Sequence, residues 1–264
     1  MKKVFFLFCL LASFIVNAQV KEGKVVYERT MQMRRPQGLD EEMARMIPPT
    51  RKDHFELMFG NNQSIWQVIP NPEGDNNTFT GGGGNVVVRM AGNDDVIYHD
   101  FATDKRTDQR ELFEKEFLVT DSIRKLSWKL HEETKTVLDR TLRKASTQRI
   151  SPRMQMTMEN GEMKRQEIMD TSYIVAWFTP DISVPAGPQE FQGQLPGLIL
   201  ELDINNGRTV FKAVEFSAKV NASNIKEPKG GKRITADEFT KEREKLMEEM
   251  RRNNPGGNRT IRIN

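Results

Sequence analysis

The segment Leu198–Ile204 constrains the fold of this chain more than any other, because its leucines alternate with acidic residues. Successive side chains of a β-strand point to opposite faces, so the leucines share one face and the two acidic residues lie on the other. A turn at Pro196–Gly197 precedes this strand, and Asn206–Gly207 after it is the dipeptide typical of a tight hairpin. The segment therefore predicts a core strand with one wetted face, followed by a hairpin.

Alternation along a strand also predicts the side on which Ile199 and Trp177 lie. Ile199 falls on the acidic side of the strand, where it is the candidate contact for a partner if that side faces solvent. Trp177 shares strand parity with Tyr173 and Val175, which predicts a core anchor first and a ligand platform second.

The charged middle of the chain indicates the fold class. Long, highly charged strands are predicted between residues 106 and 149, and charged residues suit the solvated face of an antiparallel sheet. The predicted fold is mainly β, either a curved antiparallel sheet or a partly open barrel-like meander. Asp40 is a candidate N-cap for a short N-terminal helix over Glu41–Ile47. Thr235 and Glu238 form a capping-box pattern that begins a C-terminal amphipathic helix, ending near residue 252.

The first 18 residues have the three parts of an export signal. Lys2 and Lys3 form the charged part, the 13 residues Val4–Val16 are apolar, and small residues end at Ala18, where cleavage is expected. A 13-residue run is too short to cross a bilayer of roughly 30 Å. The mature protein is therefore expected to be exported and to lie in the periplasm or at the cell envelope.

The rest of the chain is expected to form one domain. Residues 19–252 make a single β-rich unit in this interpretation, since β-rich domains of this size are often undivided. Residues 71–85 are rich in Asn and Gly and predict a flexible loop, and residues 253–264 predict a loose tail.

Composition excludes several classes of protein. The only cysteine, Cys9, lies in the signal, so the mature chain forms no disulfides and no thiolate metal sites. Loss of Lys2 and Lys3 reduces the 40 basic residues to 38, against 37 acidic ones. A nearly neutral chain argues against general nucleic-acid binding, which needs a sustained basic surface.

Methionine is the most unusual component, because nine of the 13 methionines after the signal fall in two clusters. Met154, Met156 and Met158 alternate, so on a strand they share one face at a spacing of about 6.6 Å. Thioethers are soft ligands suited to Cu(I), and Met31 and Met33 are the further candidate ligands. The alternative is a plastic hydrophobic wall, or a surface that faces lipid or a partner.

Catalytic patterns are absent from the sequence. The three histidines, His54, His99 and His131, are scattered and lack the spacing of a zinc site. Acidic residues near His99 suit either a hard cation or a plain acidic turn. There is no Gly-x-Ser-x-Gly motif. The chain is therefore predicted not to be an enzyme and to need no cofactor.

A family resemblance rests on five short segments. They are the turn and strand Leu195-Pro196-Gly197-Leu198-Ile199, the segment from Tyr173 to Trp177, the pair Gly187-Pro188, and the elements Trp128-Lys129 and Lys144-Ala145. Over residues 125–218 the chain resembles the GLPGLI family, exported proteins of Bacteroidetes-type bacteria with no assigned molecular function. It departs from that pattern at Gln194, where the family has Gly, and at residues 139–142, where the family has Gly-Tyr-x-Cys.

Family resemblance and composition together predict a non-catalytic role. The chain is interpreted as an exported binding or accessory module of the cell envelope, for an apolar ligand held on the concave side of the sheet. The resemblance implies an outer-membrane transporter or another envelope protein as the partner. Soft-metal binding through the methionine clusters is the alternative function.

Overall fold

The chain folds almost entirely into β-strands. The computed structural model describes residues 20–33, 48–70, 78–80, 87–90, 95–112, 115–159, 162–253 and 261–263. The strands are β1 Gly23–Gln32, β2 Thr50–Gly60, β3 Gln63–Val68, β4 Thr78–Thr80, β5 Val87–Met90, β6 Val96–Asp100, β7 Lys105–Leu112, β8 Lys115–Ser122, β9 Lys129–Val137, β10 Arg140–Glu159, β11 Glu162–Thr179, β12 Leu198–Ile204, β13 Thr209–Ser217, β14 Lys232–Thr235 and β15 Ile261–Ile263. The helices are α1 Ala236–Asn253 and the 3-10 turns Gln189–Phe191 and Ala222–Asn224.

Twelve of these strands form one open sheet. Their order is β14-β8-β7-β6-β3-β2-β1-β13-β12-β11-β10-β9, and β15, β5 and β4 form a separate three-stranded sheet. Within the large sheet only the pairing of β14 with β8 is parallel. The sheet does not close on itself, so β14 and β9 remain its edges. The prediction of a mainly β, curved open sheet with a C-terminal helix is confirmed.

One face of the large sheet, called the inner face below, carries the core. Val25, Tyr27 and Leu57 of β1 and β2 are fully buried there, at every second position of their strands. Residues 180–197 cross this face between β11 and β12, and their apolar side chains complete the core. The members that this segment contributes are Ile182, Ala186, Phe191 and Leu195.

Strand β12 matches its prediction except for one irregularity. Leu198, Leu200 and Leu202 are fully buried, as the alternation predicts. However, Trp177 pairs with Glu201 whereas the next residue of β11 pairs with Ile199, so Leu200 is an extra residue of a β-bulge. The bulge reverses the parity of the strand, and Ile199 is 1% exposed. The prediction that Ile199 lies on the acidic, solvent-facing side is therefore wrong.

The hairpin after β12 is present. Asn205, Asn206 and Gly207 all have positive φ, and the amide of Gly207 donates to Asp203 Oδ1 at 2.6 Å. The turn runs from residue 205 to 208, which makes it two residues longer than the shortest hairpin connection.

Helix α1 begins at the predicted capping box. The main-chain amide of Thr235 donates to Glu238 Oε2 at 2.8 Å, and the amide of Glu238 donates to Thr235 Oγ1 at 3.2 Å. Phe239 and Leu246 of the helix are buried against the β8 side of the sheet, where Phe117 contacts Phe239 edge-on at 5.5 Å. The helix thereby covers the end of the sheet near β8 and β14.

Strands β10 and β11 extend well beyond their neighbours. They pair with each other from Arg143–Phe178 to Glu159–Glu162, but β9 pairs with β10 only as far as Ser146, and β12 pairs with β11 only from Ile174 onward. The two strands therefore form a long arm that leaves the sheet.

Several predicted segments lie partly or wholly outside the described residues. The export signal at 1–18 and the N-terminal helix over Glu41–Ile47 lie wholly outside them. The predicted loop at 71–85 contains the short strand β4, and the predicted tail at 253–264 contains β15. No helix in the described part of the chain is long and apolar enough to cross a membrane.

Candidate functional site

The part of the inner face formed by β7 is charged rather than apolar. Strand β7 places Arg106, Asp108 and Arg110 on that face, since they alternate along the strand. Thr107 between them lies on the outer face, where its hydroxyl donates to Glu227 at 2.7 Å. A strand in the middle of a sheet thus has polar residues on both sides, which is unusual for a strand with a buried face.

The three inward residues of β7 form an ion-pair ladder. Arg106 donates through Nε and Nη2 to both carboxylate oxygens of Asp108, at 2.6 Å each. Arg110 Nη2 donates to Asp108 Oδ2 at 2.8 Å. The side chain of Asp108 is 4% exposed, so both of its oxygens are occupied by guanidinium groups away from solvent. Bidentate pairs of this kind are among the strongest hydrogen bonds in proteins.

A cavity of about 540 Å³ lies over this ladder. Its floor is formed by β6, β7 and β8, and its walls by the 3-10 turn Gln189–Phe191, residues 149–152 of β10, and the first turns of α1. A smaller cavity of about 140 Å³ adjoins it and shares Arg106, Arg110 and Glu190. The larger volume is within the range of small-molecule sites.

The lining of the larger cavity carries an excess of positive charge. Five arginines face three carboxylates around it, which leaves two positive charges when His99 is neutral. The charged residues are Arg106, Arg110, Arg124, Arg149 and Arg243 with Asp108, Asp121 and Glu190. Low-dielectric walls focus such a field, so the cavity favours an anion.

Arg149 and Glu190 form the wall opposite the ladder. Arg149 Nη1 donates to Glu190 Oε1 at 2.8 Å, and its guanidinium carbon lies 5.5 Å from the ring centre of Phe191. Burial raises the pKa of Glu190, but Arg149 and Arg106 outweigh that effect and hold the pKa below its usual value. The carboxylate is therefore charged. Arg149 Nε is buried and has no hydrogen-bond partner among the described residues.

Helix α1 adds a further cation to the cavity. Arg243 lines the cavity from the second turn of the helix and makes no ion pair within the described part of the chain. The guanidinium carbon of Arg110 lies 5.4 Å from the ring centre of Phe239, which couples the ladder to the same helix. The positive charge of the cavity is thus shared between the sheet and the helix.

His99 on β6 lines the cavity with both of its ring nitrogens unpaired among the described residues. Its side chain is 0% exposed, and neither ring nitrogen has a hydrogen-bond partner in the described ranges. Burial, with help from Arg106 and Lys125, lowers its pKa to about 3, so the imidazole is neutral. A neutral imidazole has one donor and one acceptor, and both are unused here.

The motif segment between β11 and β12 positions one wall of this cavity. Gln192 is fully buried, accepts a short hydrogen bond from the hydroxyl of Ser64 and donates to the carbonyl of Gln189 at 3.0 Å. Gly193 has a φ of +74°, and a Cβ there would lie 2.9 Å from Ile123. These contacts fix the 3-10 turn that carries Glu190 into the cavity.

Gln194, where the resembled family has Gly, is part of the same support. Its Oε1 accepts from the amide of Leu126 at 2.9 Å, and its Nε2 donates to the carbonyl of Arg124 at 2.8 Å. Lys125 Nζ also donates to the carbonyl of Gly193, at 2.8 Å. The side chain of Gln194 therefore joins the motif segment to the connection between β8 and β9, beside the cavity.

The other motif residues have scaffold positions. Gly197 is buried, and a Cβ there would lie 2.2 Å from the carbonyl oxygen of Thr179. Gly187 packs against Ile199, and the hydroxyl of Tyr27 donates to the carbonyl of Ile199 at 2.5 Å. The remaining residues of the predicted motif are Leu195, Pro188 and Leu198, which are buried, and Pro196, which is exposed.

The prediction for Trp177 used the wrong parity of β11. Ile174 and Phe178 face the core, so Tyr173 and Trp177 lie on the outer side. Tyr173 is 55% exposed, and Trp177 is half-buried at the margin of the core beneath Lys135, whose Nζ is 4.3 Å from the ring centre. Neither residue lines a cavity described above.

The methionine clusters occupy different parts of the sheet. Met31 pairs with Thr209 near the end of β1, in the row that continues through Ile204 and Ile174 to Thr147 on β10. Met154 lies seven residues beyond that row, or about 23 Å along the strand. Met33 follows β1, whereas Met156 and Met158 lie further out on the arm, where Met158 pairs with Met163. The structure thus separates Met31 and Met33 from the other three.

One arrangement that the sequence did not reveal lies at the edge of the sheet. His131 Nε2 is 2.7 Å from Ser146 Oγ, and its Nδ1 is 3.7 Å from Glu133 Oε2. The second distance is too long for a hydrogen bond, and none of the three residues lines a cavity described above. Groups of His, Cys, Asp or Glu able to hold a metal ion are absent from the described part of the chain.

The charged cavity differs from the prediction of a solvated face for the charged residues between 106 and 149. In fact β7 has polar residues at every position from Lys105 to Glu111. Only one face of a sheet with a core can be wetted, so polar residues on both faces indicate a buried polar site. That pattern was the available signal.

Comparison with known proteins agrees with this picture at the level of fold. Residues 128–201 match the model of a family described as a protein of unknown function, Porph_ging. That range contains β9 to the middle of β12 and the motif segment, and it lies within the part that resembles the GLPGLI family. Comparison with curated protein sequences finds no match.

Solved structures with a similar fold are much longer than this chain. The structure of PNGF-II in space group C2 is similar over 83% of this chain and 32% of its own, at 15% identity and a TM-score of 0.51. PNGF-II in space group P21 is similar over 85% of this chain and 34% of its own, at 15% identity and a TM-score of 0.50. The chain thus spans about one third of these proteins, and at this identity the likeness concerns the fold.

Proposed function

We propose that this protein is an exported, non-catalytic binding module of the cell envelope that holds a small anionic molecule in the cavity over β7. The observation that supports it is the surplus of arginines in the lining, together with guanidinium groups that still have unused donors. Arg149 Nε and Arg243 are available to a carboxylate, phosphate or sulfate, and guanidinium groups suit all three. Phe191 and Phe239 offer apolar surface for the body of the same molecule.

The state of the acidic groups favours binding over catalysis. Asp108 accepts from two arginines and Glu190 from a third, so neither carboxylate is free to take a proton from a substrate. His99 with a pKa of about 3 is a weak base at neutral pH. Incubation with a fluorophosphonate probe should leave Ser146, the hydroxyl beside His131, unmodified. Labelling of Ser146 that disappears in His131→Gln would contradict the non-catalytic role.

Calorimetric titration tests anion binding directly. Benzoate and phenyl phosphate should bind saturably, whereas benzyl alcohol, which has the same ring and no charge, should not. Arg149→Gln combined with Arg243→Gln should weaken binding at least about tenfold, because each charge-assisted contact contributes roughly 1.5–3 kcal/mol. Arg153→Gln is the matched control, since Arg153 lies on the same strand but pairs with Asp170 at 3.1 Å. Equal binding of benzyl alcohol, or an equal loss in Arg153→Gln, would refute the proposal.

The proposed compartment and partner rest on the N-terminal signal and on the family resemblance. An accessory role beside an outer-membrane transporter fits a binding protein that delivers a small anion. Site-specific crosslinking from the exposed Met169 of the arm, in intact cells, should capture an outer-membrane protein, and Asp139 at the opposite end of β10 should not. Recovery of the protein in the cytoplasmic fraction would contradict export.

Cu(I) binding by the arm remains the second candidate. The observation in its favour is that Met158 pairs with Met163 while Met154 and Met156 precede it at alternate positions of β10. Titration with Cu(I) under reducing conditions should then show one saturable site that Met156→Leu and Met158→Leu abolish and Met31→Leu leaves intact. Absence of saturable binding would eliminate this candidate.

A further inference from the structure

His99 is the part of the cavity that anion binding does not explain. It is neutral, and it lies in the row Ser64–His99–Arg106–Asp121 that crosses β3, β6, β7 and β8. Its neighbours in that row have partners, since Ser64 bonds Gln192 and Arg106 bonds Asp108. Neither ring nitrogen of His99 has a partner among the described residues, so the ring has an unused donor and an unused acceptor at the floor of the cavity.

We propose that the anion bound in this cavity is a hydroxy acid, or the phosphate of a polyol, and that His99 hydrogen-bonds to one of its hydroxyl groups. A hydroxyl both donates and accepts, which matches the one donor and one acceptor of a neutral imidazole. A second anionic group at this position is disfavoured, because a neutral histidine offers it only one donor. The proposal rests on the anion-binding function and adds the chemical class of the ligand.

The remaining lining agrees with a hydroxylated ligand. Ser122 and Ser151 line the cavity, and no hydrogen bond from either hydroxyl to another described side chain or backbone is present. Phe191 and Phe239 contribute apolar atoms to the same lining. A cavity of about 540 Å³ accommodates a molecule of this size with the charge at Arg149 and the hydroxyl groups toward His99.

Two matched pairs of probes separate the charge from the hydroxyl groups. Glucuronate and cyclohexanecarboxylate have the same ring size and the same charge, but only glucuronate has hydroxyl groups. Glucose 6-phosphate and cyclohexyl phosphate form the corresponding pair of phosphates, and glucose is the uncharged control. In at least one pair the hydroxylated member should bind about tenfold or more tightly than its partner, and glucose should bind far more weakly.

His99→Phe keeps the ring and removes its hydrogen bonds, so it should reduce the preference within that pair to less than about twofold. Because the variant has to fold for this comparison, a measurement on the unaltered protein accompanies it. The chain has three histidines, and the ring nitrogen signals of His99, assigned with His54→Gln and His131→Gln, should shift with the hydroxylated probe and not with its partner.

The outcomes of these titrations are distinguishable. Equal binding of both members of each pair, with unmoved His99 signals, would overturn the hydroxy-acid proposal and leave the anion-binding function intact. Binding of none of the charged probes, benzoate and phenyl phosphate included, would overturn both. A preference that survives in His99→Phe would assign the hydroxyl groups to another residue and refute the role of His99.

Discussion

Acid should destabilise this protein through His99. The folded state lowers the pKa of His99 to about 3 from an ordinary value of 6.5, because the buried ring disfavours the charge. Between these two values the unfolded chain binds a proton on this ring that the folded chain does not. The free energy of unfolding therefore falls as the pH falls through this window.

The size of this effect follows from the two pKa values. Between pH 7.5 and pH 5 the imidazole of His99 should remove about 2 kcal/mol from the free energy of unfolding. With a urea m-value of about 3 kcal/mol/M, this corresponds to a shift of about 0.7 M in the unfolding midpoint. His99→Phe should lack this component, because phenylalanine does not titrate.

Urea unfolding followed by tryptophan fluorescence tests this at pH 7.5, 6.5, 5.5 and 5.0 and constant ionic strength. As the pH falls from 7.5 to 5.0, the free energy of unfolding of His99→Phe should rise by about 2 kcal/mol relative to that of the unaltered protein. His54→Gln is the control for the loss of a histidine, since the His54 side chain is 52% exposed rather than buried. Parallel slopes for His99→Phe and the unaltered protein would show that His99 is not held neutral by burial.

Four further substitutions test the scaffold around the site. Gly197→Ala should cost about 2–4 kcal/mol, since its Cβ would meet the carbonyl of Thr179 at 2.2 Å. Gly207→Ala, whose Cβ would meet only Gln32 Nε2 at 3.8 Å but which has a positive φ, should cost about 1 kcal/mol. Tyr27→Phe should cost about 1–2 kcal/mol in urea unfolding by leaving a buried carbonyl unpaired. Glu227 has a pKa of about 2: burial alone raises it, but three side-chain donors outweigh burial. Its contribution is present above about pH 4.5 and lost as the pH falls through about 2, so Glu227→Gln should cost up to about 1 kcal/mol at pH 7 and progressively less as the pH falls toward and below about 2.

Local signals predicted the elements of the fold well. The alternation in β12, the Asn-Gly turn after it and the Thr235–Glu238 capping box each depend on neighbours in sequence, and the structure contains all three. The sequence does not predict which side of the strand a residue faces where a contact with a distant strand decides it. The extra residue Leu200 in the ladder with β11 turns Ile199 inward, and nothing in the sequence of β12 alone marks that bulge.

The candidate site depends on contacts that sequence patterns do not encode. Arg106, Asp108 and Arg110 are visible in the sequence as alternating charges, but Arg149 and Glu190, which line the same cavity, come from β10 and the motif segment. Only the order of strands in the sheet, with β14 returning to β8 and α1 following it, brings these parts around one cavity. The motif that looked purely structural does have a structural role, and that role is to hold a wall of the site.

Burying the ion pairs of β7 is expected to give the fold no stability that apolar residues would not also give, which is the strongest reason to assign them a function. Buried ion pairs often stabilise a protein no more than apolar residues of similar volume, and Tyr27 and Leu57 fill the same face of the same sheet elsewhere. The triple substitution Arg106→Met, Asp108→Leu and Arg110→Met should therefore keep the free energy of unfolding within about 2 kcal/mol of the unaltered protein, or raise it. The same variant should lose anion binding in the calorimetric titration. If it unfolds while the single change Arg149→Gln leaves binding intact, the ladder stabilises the fold and the cavity is not the binding site.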